Sequence, residues 1–106
     1  MNLTIYYPSV DSTGQAIDNR DEFMQDHVRQ ICTISGGCTV DNQVAGYYVT
    51  QAGQLLSESV NRVNIYLSGN GMQKKLEDIV ALCYNIKTQL RQESLLVTRN
   101  GKAKFL

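Results

Sequence analysis

Several things are scarce in this sequence. It has no Trp, one His, one Pro and three Cys in 106 residues, and ten Asp+Glu match its ten Lys+Arg for a formal net charge of zero. General nucleic-acid binders neutralise phosphates with a surplus of bases, so non-specific DNA or RNA binding is not expected here. No apolar run approaches the roughly 20 residues that span a bilayer. Met1 leads into a strand pattern interrupted by polar residues, without the basic and then apolar stretch of a secretory leader. The expectation is a cytoplasmic chain with no membrane contact. An odd cysteine count without an export signal points to reduced thiols. With 42% hydrophobic residues in 106, one domain spanning 1–106 and built on one core is expected.

Chemical motifs are equally sparse. Structural zinc favours paired Cys or His two to four residues apart. Cys32 and Cys38 are separated by five residues and no second pair exists, so no metal is expected. The acidic loop at Asp11, Asp18 and Asp21 superficially suggests calcium, but Gly14 stands fourth from Asp11 where an EF-hand needs glycine sixth. That loop reads better as a turn leading into a helix cap. No phosphate-cradling glycine loop, nucleophile elbow or carboxylate pair is present, and no cofactor or catalytic residue is assigned. His27 is considered as a general base, but Asp26 beside it in sequence would not face it on a helix. It reads instead as a boundary histidine satisfied by a carbonyl or water.

What is present is a clear order of elements. Leu3, Ile5 and Tyr7 alternate with Thr4 and Tyr6, the period of a half-buried strand, and Pro8 ends it. Asn19 and Glu22 have capping-box spacing at the head of a helix expected over about 20–33, whose stripe is Phe23, Met24, His27, Val28 and Ile31. Ser35-Gly36-Gly37 stops that helix. Cys38 to Thr50 and Gln54 to Leu67 read as two strands joined by a hairpin in which Gly53 supplies a positive φ. Val60 is out of phase with Val63, Ile65 and Leu67, so a β-bulge is expected between about 58 and 62. Met72, Leu76, Ile79, Val80, Cys83, Ile86 and Leu90 keep helical spacing in a second helix ending near Glu93. Asn100-Gly101 then marks a type I′ hairpin that sets Arg99 opposite Lys102 and Leu95 opposite Leu106. Whether residues 102–106 extend this sheet or pair with a neighbour stays open.

This order, β-α-β-β-α-β with one extra strand, resembles the ferredoxin-like plait, an α+β fold with both helices on one face of an antiparallel sheet. Gly36-Gly37-Cys38-Thr39-Val40, Gly46-Tyr47-Tyr48, Gly53 and Glu58 also look like the central hairpin of small plait proteins, a likeness that implies a fold and no chemistry. Charge is unevenly ordered: residues 1–53 hold six acids and two bases, net −4, so residues 54–106 hold +4. Halves that interleave within one fold would neutralise each other, and that reading is preferred over a head-to-tail contact between copies.

If Leu3, Ile5, Tyr7, Val63, Ile65 and Leu67 face the helices, then Thr4, Tyr6, Arg62, Asn64 and Tyr66 share the open face. Tyr6 and Tyr66 are expected to lie close there, with Tyr47 or Tyr48 reaching in from the hairpin. The candidate ligand-binding or interface residues are therefore Tyr6, Tyr48, Arg62, Asn64 and Tyr66. Tyrosines on an uncovered sheet suit an interface. The leading expectation is a non-enzymatic binding module that self-associates, most simply as a homodimer, with a small-molecule ligand as a further partner. Two alternatives stand beside it. One is a dimeric α+β-barrel enzyme with a pocket between sheet and helices. The other is a phage or mobile-element protein that sequesters a small nucleotide-like ligand.

Overall fold

A computed structural model describes residues 1–41 and 43–106. The first strand, β1 (Asn2–Tyr7), buries Leu3, Ile5 and Tyr7 and turns the residues between them outward. Helix α1 (Arg20–Ser35) follows, then β2 (Thr39–Val40), β3 (Val44–Val49), β4 (Leu55–Tyr66), helix α2 (Met72–Gln89), β5 (Leu96–Arg99) and β6 (Lys102–Phe105). The class is α+β: a six-stranded sheet in the order β2-β4-β1-β5-β6, with β3 also on β4 and every pairing antiparallel. Both helices contribute to one apolar cluster, in which Ile31 of α1 and Ile79, Leu82, Cys83 and Ile86 of α2 pack with Leu3, Ile5, Val63, Ile65 and Leu67 of the sheet. Since β1 and β4 enter that cluster through alternate residues only, the residues between them form a second face outside it.

Several local expectations hold in detail. The terminal hairpin pairs Arg99 with Lys102, Thr98 with Ala103, Val97 with Lys104 and Leu96 with Phe105. Leu95 and Leu106 exchange backbone bonds of 3.0 and 2.9 Å, so the last strand extends its own sheet beside β5. Gly53 adopts φ 82 and its N–H reaches Thr50 O at 2.9 Å, which closes the β3–β4 hairpin. Two of the ion pairs, Asp11 with Arg91 and Asp41 with Arg62, join the acidic half of the chain to the basic half.

Three expectations need correction. Asn19 heads α1 at φ 56 without a side-chain cap; its backbone carbonyl accepts from Phe23 N instead, so the capping box does not form. The strand expected over Cys38–Thr50 is split into β2 and β3. Val40 faces Val63 while Val44 faces Val60, so the extra residue that shifts the register lies on this side, between 40 and 44 (Asn42 lies outside the described residues). The bulge expected within 58–62 is accordingly absent from β4, which keeps one register with β1 from Asn61 to Tyr66 and another with β3 from Leu55 to Val60. Val60 is out of phase for a different reason. It lies on the face away from the helices, and it is 9% exposed although it stands outside the main core cluster. Something covers it there.

Candidate functional site

The open face is built by β1, β4 and β5 through residues of one parity. Across β1 and β4 the register sets Tyr6 opposite Arg62, Thr4 opposite Asn64 and Asn2 opposite Tyr66. Tyr6 and Tyr66 thus stand at opposite ends of the face, four residues apart along the strands or about 13 Å, and the expected contact between them does not form. Arg62 is no free cation either: its guanidinium meets Asp41 Oδ2 at 3.0 Å. The Asn64 amide is also engaged, accepting from the Thr4 hydroxyl at 2.9 Å and donating to Asp41 Oδ2 at 3.1 Å. Asn64 and Tyr66 line a groove of about 540 Å³ that runs past Cys38 at the end of α1. Tyr6 and Tyr48 belong to a different hollow.

That second hollow, about 510 Å³, explains Val60. Strand β4 is twelve residues long and outruns β1, so its outer half carries only the β3 hairpin. Tyr48 is opposite Leu56 and Gly46 is opposite Glu58, which places Tyr48, Glu58 and Val60 on the same side as Tyr6. Gly46 projects no side chain over Glu58 and Val60, whose nearest atoms would lie 3.8 and 3.9 Å from a Cβ at that position. The far side of the hollow is made by the loop after β1 (Pro8 to Ser12) and the segment between α2 and β5 (Gln92 to Leu95), with Phe105 at its edge. The result is a half-open cavity with aromatic rings at Tyr6, Tyr48 and Phe105 and an apolar floor at Val60.

Its charge is one-sided. Among the described residues that line it, Asp11, Glu58 and Glu93 are acidic and none is Lys, Arg or His. Asp11 is spoken for: its carboxylate accepts from Thr13 N (2.9 Å), the Thr13 hydroxyl (2.6 Å) and Gln15 N (3.1 Å), and Arg91 approaches at 3.2 Å. The Thr13 hydroxyl bond, with these other donors, holds the Asp11 carboxyl below the usual carboxylate value. Glu58 is half-buried and, among the described residues, is held only by Ser9 N at 3.4 Å, a long bond that leaves most of its acceptor capacity unused. Such a cavity suits a ligand with a flat ring and a positive centre. In the sequence Glu58 stands out only within the hairpin likeness, which implies no chemistry; its setting here depends on residues 8–12 and 92–95 folding up against it.

His27 plays no part in this cavity. It is 1% exposed in the core, where the Tyr7 hydroxyl donates to its Nδ1 at 2.7 Å and its Nε2 donates to Gln89 Oε1. Phe23 stacks on its ring at 6.1 Å and 11°. Burial raises the Tyr7 phenol above its ordinary value, so it remains a donor. The histidine is thus a core residue and not the expected boundary residue, and side chains satisfy it instead of a backbone carbonyl or water. Cys32 and Cys38 are free, with sulfurs 3.8 Å apart. Burial and the neighbouring Cys32 push the Cys38 thiol up to about 11, and burial alone pushes Cys83 up to about 12. These are not the values of reactive thiols.

No helix among the described residues is long and apolar enough to cross a membrane. No protein-family description and no curated protein matches the sequence. Solved structures do match. A phage SAM lyase in complex with S-methyl-5'-thioadenosine superposes with a TM-score of 0.68 at 18% identity, over 97% of this chain and 83% of that one. A phage SAM lyase in the apo state gives 0.61 at 20% identity, over 97% and 82%. Identity this low speaks for the fold alone. That shared fold overturns the non-enzymatic part of the expected reading, which rested on the lack of a familiar catalytic motif: in those proteins it serves a lyase with a small adenosine-containing ligand.

Proposed function

We propose that this chain binds S-adenosylmethionine, or a closely related adenosine sulfonium, in the cavity between the β3–β4 hairpin and the two connecting segments, and breaks a carbon–sulfur bond of it. Of the earlier alternatives, the phage protein with a nucleotide-like ligand is the nearer one. The observation that carries the reading is Glu58, a weakly held carboxylate in an acidic, aromatic-rimmed hollow on a fold shared with a phage SAM lyase. A sulfonium is drawn both to a carboxylate and to the faces of aromatic rings, and a purine stacks on the same rings. The ligand's own carboxylate oxygen displaces the sulfonium from the amino-acid chain: a C–O bond forms and closes a lactone, and the electron pair of the broken C–S bond leaves with sulfur as S-methyl-5'-thioadenosine, a neutral thioether and the compound bound in the neighbouring complex. A cavity lined by acids and no bases disfavours phosphorylated nucleotides.

Incubation of the protein with S-adenosylmethionine, followed by chromatography, should show S-methyl-5'-thioadenosine accumulating. Glu58→Gln should slow this by about tenfold or more, whereas Tyr66→Ala, at the far end of the sheet, should not. Absence of both product and calorimetric binding would end the proposal. Two finer points belong to it. If β2 and β3 are taken as one interrupted edge strand, the strand order is that of the ferredoxin-like plait with β6 added. Self-association of copies is proposed on the exposed apolar side chains Tyr47, Val49, Leu55 and Phe105 around the hairpin and cavity mouth. Light scattering giving a strict monomer at micromolar concentration would remove the second point.

A further inference from the structure

The outer wall of the cavity is made of two connecting segments, and they are stitched to one another. Arg91 follows α2 in the left-handed region at φ 53. That turn brings its carbonyl to the Ser12 N–H at 2.9 Å and its guanidinium to Asp11 Oδ2 at 3.2 Å. The side-chain amide of Gln92 donates to Val10 O at 2.7 Å and to Leu90 O at 2.9 Å. The Asp11 side chain is 4% exposed, and its other oxygen gathers Thr13 and Gln15 into a tight turn, leaving Arg91 as its partner across the seam. Two residues back along the chain, Ser9 N faces Glu58 Oε2. The path from Arg91 to Glu58 is therefore a short run of bonded backbone.

We propose that the Asp11–Arg91 ion pair is a clasp that holds this wall against Glu58, and that Arg91 is a positioning residue for the ligand although it does not line the cavity. The inference rests on the reading of the site given above and goes beyond it by placing control of the ligand's fit outside the hollow. The guanidinium is 61% exposed and solvent screens its charge, so the clasp acts by geometry more than by strength. Loosening the wall weakens binding of the ligand in its ground state and transition state alike, and that signature raises KM with kcat unchanged.

Arg91→Ala removes the guanidinium and keeps the backbone bond to Ser12. It should raise KM for S-adenosylmethionine about threefold to fivefold, the effect of losing one screened ion pair, with kcat altered by less than about twofold. Arg91→Lys should recover most of the loss, and Asp11→Asn combined with Arg91→Ala should be no worse than the more severe single change. Amide exchange should quicken over residues 9–17 while β1 and β4 stay protected. Lys74→Ala, which breaks an exposed pair with Asp78, serves as the unchanged control. An unchanged KM in Arg91→Ala overturns the clasp, as does faster exchange spread over the whole chain. Wild-type protein that neither binds nor cleaves S-adenosylmethionine overturns the reading of the site itself, an outcome visible before any variant is made.

Discussion

Replacing Tyr7 by Phe tests the buried polar chain beneath the sheet. The substitution preserves the ring, which is 1% exposed, and the Arg20 guanidinium 5.4 Å from its centre. It removes one hydroxyl, the donor to His27 Nδ1 at 2.7 Å. The other ring nitrogen already donates to Gln89, so Nδ1 is the acceptor and faces a hydrocarbon edge once the hydroxyl is gone. Leaving a buried acceptor unsatisfied costs about 1–3 kcal/mol, which in a domain of this size is a fall in Tm of about 5–20 °C. Urea unfolding of the two proteins should give a lower midpoint with the same slope, since the surface exposed on unfolding is unchanged. Tyr84→Phe, at a half-exposed position, should move stability by less than about 0.5 kcal/mol. A loss in Tyr7→Phe no larger than that of Tyr84→Phe refutes the reasoning, because it would mean that the core histidine does not depend on this donor.

Other expectations follow from the same geometry. The Asp11 carboxyl is held below its ordinary value of 3.8, so its contribution to stability is full above that value and is lost as pH falls from about 4 through the depressed native value. Substituting Asn at 11 should flatten the acid limb of a stability profile, and an unchanged limb would count against it. Tyr7 behaves in the opposite sense. Its raised phenol favours the folded state fully below pH 10.0 and loses that advantage as pH climbs further, so alkaline unfolding in wild type should be blunted in Tyr7→Phe. Cys83, pushed up to about 12 and 1% exposed, should resist iodoacetamide in native protein at neutral pH and react in urea; equal labelling in both would show that the core opens there. Tyr48→Ala should weaken ligand binding by about fivefold to tenfold in calorimetry, the range for one lost aromatic contact, and wild-type affinity would take Tyr48 out of the site.

Most of the architecture could be read from the sequence because it is local. Alternation fixed which side of β1 is buried, and the Asn100-Gly101 turn fixed every pair of the last hairpin. The reading of Val60 failed for a physical reason. A period of two identifies one buried face only when the other face is wet, and here the second face is covered where the hairpin and loops fold over it. The cavity was hidden for the same reason. Its lining comes from four separated stretches, around residues 6–12, 46–48, 58–60 and 92–105, that no sequence spacing connects. Tyr6 and Tyr48 were legible as open-face tyrosines, whereas Glu58 was marked only by its place in the hairpin likeness, which carries no chemistry. Arg62 and Asn64 were placed on the correct face, but Asp41, which occupies both, reaches them from the end of the two-residue strand β2, whose pairing with β4 the sequence does not announce.

Strand β4 behaves like a single beam clamped at one end. Its inner half is fixed by the core through Val63 and Ile65, and its outer half carries Glu58 about 23 Å of chain away from Ile65. A small tilt introduced at the clamp is multiplied at the free end, where the proposed ligand would meet the carboxylate. Volume changes at Val63 or Ile65 would therefore register as lost activity before they register as lost folding. A screen scored on turnover alone would mark both as active-site residues, although neither side chain reaches the cavity.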